Sequence, residues 1–417
     1  MKRLVLVIAV LTVSLLLLGQ VELVFWTAPN PLQEEFWKET VDQWHQENPD
    51  IRIKWSTIPA AASSEEAILI AIASNQAPDI CTNIMSGFAA QLIGAGQLVP
   101  LETFPDFWDL VDTREMREII EGWKFDGSYY VFPIYSNPMM MWWRKDLLES
   151  VGFDRAPRTY SEVYEFSKAY SHGLERFGMQ VIMGRNWWDR WFDFITYYYA
   201  ASGGKPYLDV ERGRATFDDE YGLEVAKFID TMFREKWTAA DLGANPFYMG
   251  VIGGTIMGPW EINWAKTQFP DIYNNIIVAP PPVPDSYPED APINTFADTK
   301  GLVMFAHSPH KEEAWEFIKW VYSNIENDKR WVEITNMPPA RGDLGTHAIF
   351  SSFMAEDPVF AEYAKYIPYA IPPALTEQYV DVQDMMTQYL VEPLMYGRAT
   401  PENALSNAAT RIRRILW

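Results

Sequence analysis

Val21-Glu22-Leu23-Val24-Phe25-Trp26, closed by Ala28-Pro29-Asn30-Pro31, is the stretch from which the fold is read. A short apolar run ended by two prolines is the pattern of a buried strand. Downstream, Trp37, Val41 and Trp44 share one helical face, and Pro49 follows the end of that helix. Ile51, Ile53 and Trp55 then alternate with Arg52 and Lys54, a half-buried strand. Ser63-Ser64-Glu65-Glu66 holds a Ser-x-x-Glu capping box that opens a helix through residues 67–74. Ala77-Pro78-Asp79-Ile80 returns the chain to a strand. Strand, helix, strand, helix, strand predicts a doubly wound α/β lobe.

Upstream of this lobe, Lys2 and Arg3 precede an uncharged, mostly apolar run over residues 4–18, with Thr12 and Ser14 its only hydroxyl side chains. That run is shorter than the roughly 20 apolar residues of a membrane span, so residues 1–20 read as a secretory signal. Leu17 and Leu18 stand where a cleavage site prefers small side chains, which leaves an uncleaved anchor as the other reading. The remainder should be exported.

The 417 residues are 48% hydrophobic and 15% aromatic, enough for two domains and too apolar for disorder. A net charge of −22 argues against nucleic acid and against an anionic membrane surface. One cysteine, Cys81, excludes an internal disulfide, and five scattered histidines offer no metal-ligand spacing. No cofactor and no metal are expected. The partner should be small, and neutral or cationic.

Past residue 129 the pattern changes. Tyr130-Val131-Phe132-Pro133-Ile134-Tyr135 reads as a strand leading into a turn at Ser136-Asn137-Pro138, followed by a second apolar run over residues 139–143. Thr159-Tyr160-Ser161-Glu162 has the form of another helix start. Helices are predicted over 220–234 and 312–323. Between them Gly250-Val251-Ile252-Gly253-Gly254-Thr255-Ile256-Met257-Gly258-Pro259-Trp260 is a glycine-punctuated strand. The proline run Ala279-Pro280-Pro281-Pro282-Val283-Pro284 is stiff, and suits an interdomain crossing.

Eighteen tryptophans are the chain's least ordinary feature. Trp37, Trp44, Trp315 and Trp320 fall at helical spacing and read as core. Trp26 and Trp260 close strands, and Trp187, Trp188 and Trp191 cluster in a loop. Ligands of open α/β sheets bind beyond the carboxyl ends of strands, where an indole can stack on the C–H face of a sugar. Catalytic alternatives find less support. Asp189 with Asp193, or Glu261 with Asp298, could be imagined as a glycosidase pair, but chance pairs abound among 56 acidic residues. No Gly-x-Ser-x-Gly elbow and no Gly-x-Gly-x-x-Gly fingerprint is present.

Several further segments complete a resemblance. Besides Leu23-Val24-Phe25-Trp26, Ala77-Pro78-Asp79-Ile80 and Gly258-Pro259-Trp260, they are Gly94-Ala95-Gly96-Gln97-Leu98-Val99-Pro100-Leu101, Tyr130 to Pro133 with Arg144-Lys145-Asp146-Leu147-Leu148, Gly301-Leu302-Val303 with Ser308-Pro309-His310-Lys311-Glu312-Glu313-Ala314-Trp315, and Gly397-Arg398-Ala399-Thr400-Pro401. In this order they resemble the extracellular solute-binding proteins of ABC importers, in their maltose-binding-protein-like, carbohydrate-binding branch. The resemblance implies an α/β periplasmic-binding-protein type II fold, two lobes with a hinge and an interlobe ligand cleft. One lobe would comprise residues 21–135 plus 294–340, the other 136–293 plus 341–417. It also implies a periplasmic monomer that catalyses nothing, takes a sugar or polyol, and meets the importer's transmembrane permease.

Carried over residue by residue, Trp260 matches the family's Pro-Trp sugar platform. Asn137 falls at the hinge where a polar sugar contact is common, and Asn83 and Ser86 follow the Ala-Pro-Asp strand. Maltose binders carry aromatic and charged residues in that loop, so Asn83 and Ser86 point away from a long maltodextrin. Trp26, Asn30, Trp188, Trp191, Asp193, Asp298 and Lys300 complete the implied contacts. An exported glycoside hydrolase with a Trp-lined cleft, or a binder of a glycerol phosphate or cationic amine, remain the rival readings. A phosphate would need basic residues at the cleft, for which Arg185, Arg190, Lys300 and Arg341 are the candidates. A cation would want aromatic rings beside Asp193 or Glu261.

Overall fold

The computed structural model describes residues 20–182 and 192–416. The expected leader and Trp187, Trp188 and Trp191 lie outside the described residues. Ten strands build the two main sheets: β1 (Val21–Thr27), β2 (Ile51–Thr57), β3 (Ile80–Ile84), β4 (Phe132–Pro138), β5 (Met140–Arg144), β6 (Phe177–Met179), β7 (Ile252–Met257), β8 (Ile276–Ala279), β9 (Thr295–Met304) and β10 (Ala370–Ile371).

The first sheet runs β10-β9-β3-β1-β2, with β4 beside β9. Its start follows the sequence closely. β1 lies between β2 and β3, parallel to both, with Phe25 opposite Trp55 and Ile80. The intervening helix Pro31–Glu47 buries Trp37 and Trp44 as its spacing foretold. Trp37 meets Phe25 edge-on at 4.9 Å between ring centres, and Trp44 meets Phe317 at 5.2 Å. Trp315 is buried on the helix Lys311–Ser323, and Trp320 packs against the same core.

The helix predicted over 67–74 begins earlier, at Ser64–Ala73. Ser63 caps it by accepting from the Glu66 N–H at 3.1 Å, and the Glu66 carboxylate reaches back to the Ala62 N–H at 2.9 Å. The Thr159 box is complete at the start of Tyr160–Tyr170. Glu220–Arg234 forms as predicted.

The second sheet runs β8-β5-β7-β6. β5 lies antiparallel to both β7 and β8, while β7 and β6 are parallel. Its second face is covered by helices that include Phe192–Ser202, Glu220–Arg234 and Pro401–Ile415, the last through Ala404, Leu405, Ala408 and Ile412.

Two expectations about the crossings between sheets need correction. The turn expected at Ser136-Asn137-Pro138 is strand: β4 continues through Pro138 with all its residues buried. Two prolines are tolerated because β9 pairs along one side of β4, while the other side meets only the short stretch 338–340, bridged at Tyr135 between the two prolines. The break comes at Met139, whose N–H donates to Phe296 O at 2.8 Å and whose carbonyl accepts from Thr295 Oγ1 at 2.5 Å. One residue therefore separates a strand of one sheet from a strand of the other, and it is pinned to β9.

The proline run is not the crossing itself. It docks beside the second sheet, where the Val283 N–H donates to Arg158 O at 3.0 Å and the Tyr160 N–H to Val283 O at 2.9 Å. Pro280–Pro282 cannot donate to a ladder, but their extended backbone lets Val283 bridge to Thr159 in parallel. The return to the first sheet is made by the residues between there and Thr295.

Among the described residues no helix is long and apolar enough to cross a membrane, and no cluster of His, Cys, Asp and Glu is arranged to hold a metal ion. Cys81 is buried, and burial pushes its thiol far above the ordinary range, so it is inert.

Candidate functional site between the two sheets

The polar residues that matter gather where β3, β4 and β9 end or cross. Asn83, the fourth residue of β3, adopts φ 65°, a left-handed conformation that Asn tolerates better than most residues. This turn redirects the chain into the helix Ser86–Gly94 and aims the Asn83 side chain at β9. Its Oδ1 accepts from Lys300 Nζ at 2.9 Å, and its Nδ2 donates to Ser64 Oγ at 3.1 Å. Ser86 is buried at the first position of its helix with no partner for its Oγ.

At the hinge, Asn137 and Asp298 are directly opposed across β4 and β9. Their side chains therefore share one face of the ladder. Asn137 is 2% exposed and its Oδ1 has no partner among the described residues, which leaves it available to a donor from water or a guest. Burial pushes the Asp298 carboxyl up, opposed by the Lys300 ammonium two residues on.

The sign of that shift yields a prediction. A carboxyl with a raised native pKa holds its proton better folded than unfolded, so stability falls as pH rises between the unfolded and folded values. Asp298→Asn should flatten this part of the stability–pH curve, checked by thermal melts at half-unit steps from pH 4 to 8. A slope equal to wild type would show that Asp298 is well solvated.

In the second sheet, β7 ends at Met257 and Gly258-Pro259 turns the chain so that Trp260 stands at the N-cap of the helix Glu261–Gln268. The Trp260 indole lies against Gly258 so closely that a Cβ on that glycine would overlap the six-membered ring. It is nevertheless 42% exposed. Only glycine at 258 leaves room for the ring in this position. The end of β7 is fixed from behind: Tyr363 Oη donates to Met257 O at 2.7 Å and accepts from Trp142 Nε1 at 2.8 Å. Beside the indole, the Glu261 carboxylate accepts from Tyr248 Oη at 2.8 Å, and burial pushes the Glu261 carboxyl up. Tyr248 stacks on Phe269 at 4.4 Å.

The structure thus brings Asn83 and Lys300 into contact, sets Asn137 opposite Asp298, and leaves Trp260 exposed just past the carboxyl end of β7 in the other sheet. The remaining expected residues hold local positions. Trp26 is half-buried against the core that contains Ile58, Phe88 and Trp123. Asn30 is exposed and caps Pro31–Glu47 through the Gln33 N–H at 3.2 Å. Asp193 is buried in the first turn of Phe192–Ser202 and accepts from the Ile182 N–H at 2.7 Å. The imagined acid pair Glu261 and Asp298 falls in separate surroundings, one with Tyr248 and the other with Lys300. Its fellow pair has Asp189 outside the described residues.

Tyr379 escaped the sequence reading. It opens the helix Tyr379–Met386, lies over Gly87, and is close enough to Asp298 for that carboxylate to help hold its phenol protonated. Only contacts between distant parts of the chain place it there, and no local pattern could have found it.

Two α/β sheets joined by closely spaced crossings, with polar groups on the strands at the junction, match a hinged binding protein of the periplasmic-binding-protein type II fold. The family follows from comparison with known proteins. The model of the bacterial extracellular solute-binding protein family matches residues 28–327, and the chain belongs to that family. It is 24% identical to the arabinooligosaccharide-binding protein of Halalkalibacterium halodurans, over 80% of this chain and 74% of that one. Among solved structures, protein lmo0859 from Listeria monocytogenes EGD-e superposes with a TM-score of 0.88 at 35% identity, covering 95% of this chain and 100% of the other. The cyclic α-maltosyl-1,6-maltose binding protein from Arthrobacter globiformis gives 0.81 at 19% identity, over 95% and 99%.

Proposed function

We propose that this protein captures an uncharged carbohydrate in the cleft between its lobes and hands it to the permease of an ABC importer. It would work in the periplasm or outside the cell as the non-catalytic, monomeric subunit of that system. The lobes would comprise residues 21–135 plus 294–340 and 136–293 plus 341–417, with hinge closure at Met139 bringing them together. Contacts from both lobes form only on closure, so the guest shifts the open–closed equilibrium by its differential affinity.

The observation that carries this reading is the Trp260 indole, seated against Gly258 and 42% exposed at the end of β7. Such a ring offers stacking to a sugar's C–H face. Asn83, Ser86, Asn137, Asp298 and Lys300 supply donors and acceptors for hydroxyls, with Trp188 and Trp191 as further aromatic candidates. Trp26, Asn30 and Asp193 complete the proposed set of contacts. A relative named for arabinooligosaccharides and a structural neighbour named for a cyclic maltosyl-maltose support a saccharide over a phosphate or an amine.

The test is a thermal-shift screen of arabinooligosaccharides, maltodextrins, monosaccharides, polyols, glycerol phosphate and amines. A saccharide at 100 times its Kd should stabilise the native state by about 2.7 kcal/mol. A shift with a phosphate or an amine and none with any saccharide would overturn the reading.

A further inference from the structure

The helix Glu261–Gln268 turns Ile262 and Ala265 inward and leaves Trp264, Thr267 and Gln268 exposed. Trp264 is 39% exposed, close to the value for Trp260. Because Trp260 itself has helical φ and ψ, the two indoles are rooted four residues apart on one helix face, about 6 Å along its axis. That spacing is close to the step from one ring to the next in an oligosaccharide.

Trp264 is exposed but not loose. It meets Tyr248 edge-on at 5.1 Å between ring centres and Phe269 at 5.1 Å, and both of those rings belong to the main core or pack against it. The indole is therefore held in place, and a guest stacking on it has little rotamer freedom to freeze. Among the described residues Trp264 makes no ring contact with Trp260, so each indole keeps its own surface.

Glu261 stands between the two in the chain. Its Oε1 accepts from Tyr248 Oη, and its Oε2 has no donor among the described residues. Burial pushes this carboxyl up, as expected of an ionised group short of donors, and a hydroxyl on Oε2 would relieve the cost. One exposed tryptophan, or one acid in a helix's first turn, is ordinary by itself. An oriented, half-buried carboxylate with an exposed indole on either side of it combines a hydroxyl acceptor with two stacking faces. Rooted in line, the indoles form a strip and not the cage that a cation favours.

We propose that Trp264 and Glu261 form a second saccharide subsite one helical turn beyond Trp260, which makes the guest an oligosaccharide: its second ring stacks on Trp264 and gives a hydroxyl to Glu261 Oε2. The proposal rests on the reading of Trp260 as the platform of the first ring. A monosaccharide on Trp260 gains nothing from the second subsite, so the helix selects for chain length.

Calorimetric titrations with L-arabinose, arabinobiose and arabinotriose, and in parallel with glucose, maltose and maltotriose, test this on variants whose thermal melts show them folded. The parent should bind the disaccharide of one series at least about tenfold more tightly than its monosaccharide. Trp264→Ala should erase that gain and leave the monosaccharide within about twofold, while Trp264→Phe, which keeps a stacking face, should recover most of it. Glu261→Gln preserves the acceptor for Tyr248 and should weaken the disaccharide about fivefold. A parent that binds mono- and disaccharide alike, or unchanged affinities in Trp264→Ala, would overturn the subsite. So would equal losses for both sugars, since Trp264 would then only steady Trp260. If Trp260→Ala still weakens binding in those cases, the carbohydrate reading stands without the subsite. Tetramethylammonium binding that depends on Trp264, with no saccharide bound by the parent, would overturn both.

Discussion

Replacing Trp260 by alanine should weaken saccharide binding by at least about 2 kcal/mol, roughly 30-fold in Kd, while leaving the fold intact. Both halves of that expectation come from the ring's surroundings. The indole is 42% exposed and is absent from the hydrophobic clusters that make up the cores, so deleting it opens no internal cavity. Stability should stay within about 0.5 kcal/mol of the parent, as for other surface substitutions. Binding loses the flat apolar wall entirely, because Gly258 beneath it has no side chain to take its place. Gly258→Ala sharpens the argument. It keeps the indole but forces it off its seat, and should also weaken binding if orientation matters as well as area. Calorimetric titration with the best saccharide from the screen, alongside urea unfolding, separates the two effects. Equal affinity in folded Trp260→Ala would remove this residue from the site.

How much of this could be read from the chain depended on whether the deciding interaction was local. Trp37, Val41 and Trp44 announce a helix face because their spacing is set by helix geometry alone. Thr159 and Glu162 announce a cap because the partners are three residues apart. β4 defeated the same logic. Ser136-Asn137-Pro138 has turn composition, yet β9 pairs with β4 from Phe132 through Pro138, and the bridge to Pro339 on the other side falls at Tyr135, clear of both prolines. The proline run was read correctly as stiff and extended and incorrectly as a bridge, since stiffness says nothing about what a segment docks against.

The candidate site shows the same division. Trp260 stands out in sequence because Gly-Pro-Trp after an apolar run is a local signature of a strand end. Asn137 and Asp298 were singled out separately. That they oppose one another follows from strand register, which neither neighbourhood reveals. The bond between Asn83 and Lys300 and the seating of Tyr379 on Gly87 likewise span most of the chain. Asn30 shows how one residue can carry two readings: a polar residue in a loop beyond a strand has the look of a ligand contact, and its side-chain oxygen also serves as a helix cap.

The largest loss of stability is expected from Asp328→Ala. Asp328 sits between two buried guanidiniums: it accepts from Arg114 Nη1 and Nη2 at 2.8 Å each, and from Arg341 Nη1 at 3.1 Å. Arg114 is fully buried and also donates to Tyr322 O at 2.8 Å and Ala340 O at 3.3 Å, while Arg341 is held by Asp343 on its other edge. Removing Asp328 leaves two cations sharing a dry site with only Asp343 to balance them. Breaking a buried pair in this way costs about 3–5 kcal/mol, because an uncompensated charge remains out of water. The damage should reach the hinge, for the network clamps the segment lying along β4. There the Ala340 N–H donates to Ile134 O at 3.0 Å and the Ser136 N–H to Pro338 O at 3.4 Å. Asp328→Asn keeps an acceptor and should lose less than the alanine variant, with Arg341 still paired to Asp343. Urea unfolding followed by tryptophan fluorescence ranks the two. A loss below about 1 kcal/mol in Asp328→Ala would mean that water reaches the guanidiniums, as at surface pairs, and that the clamp on β4 is held by packing instead.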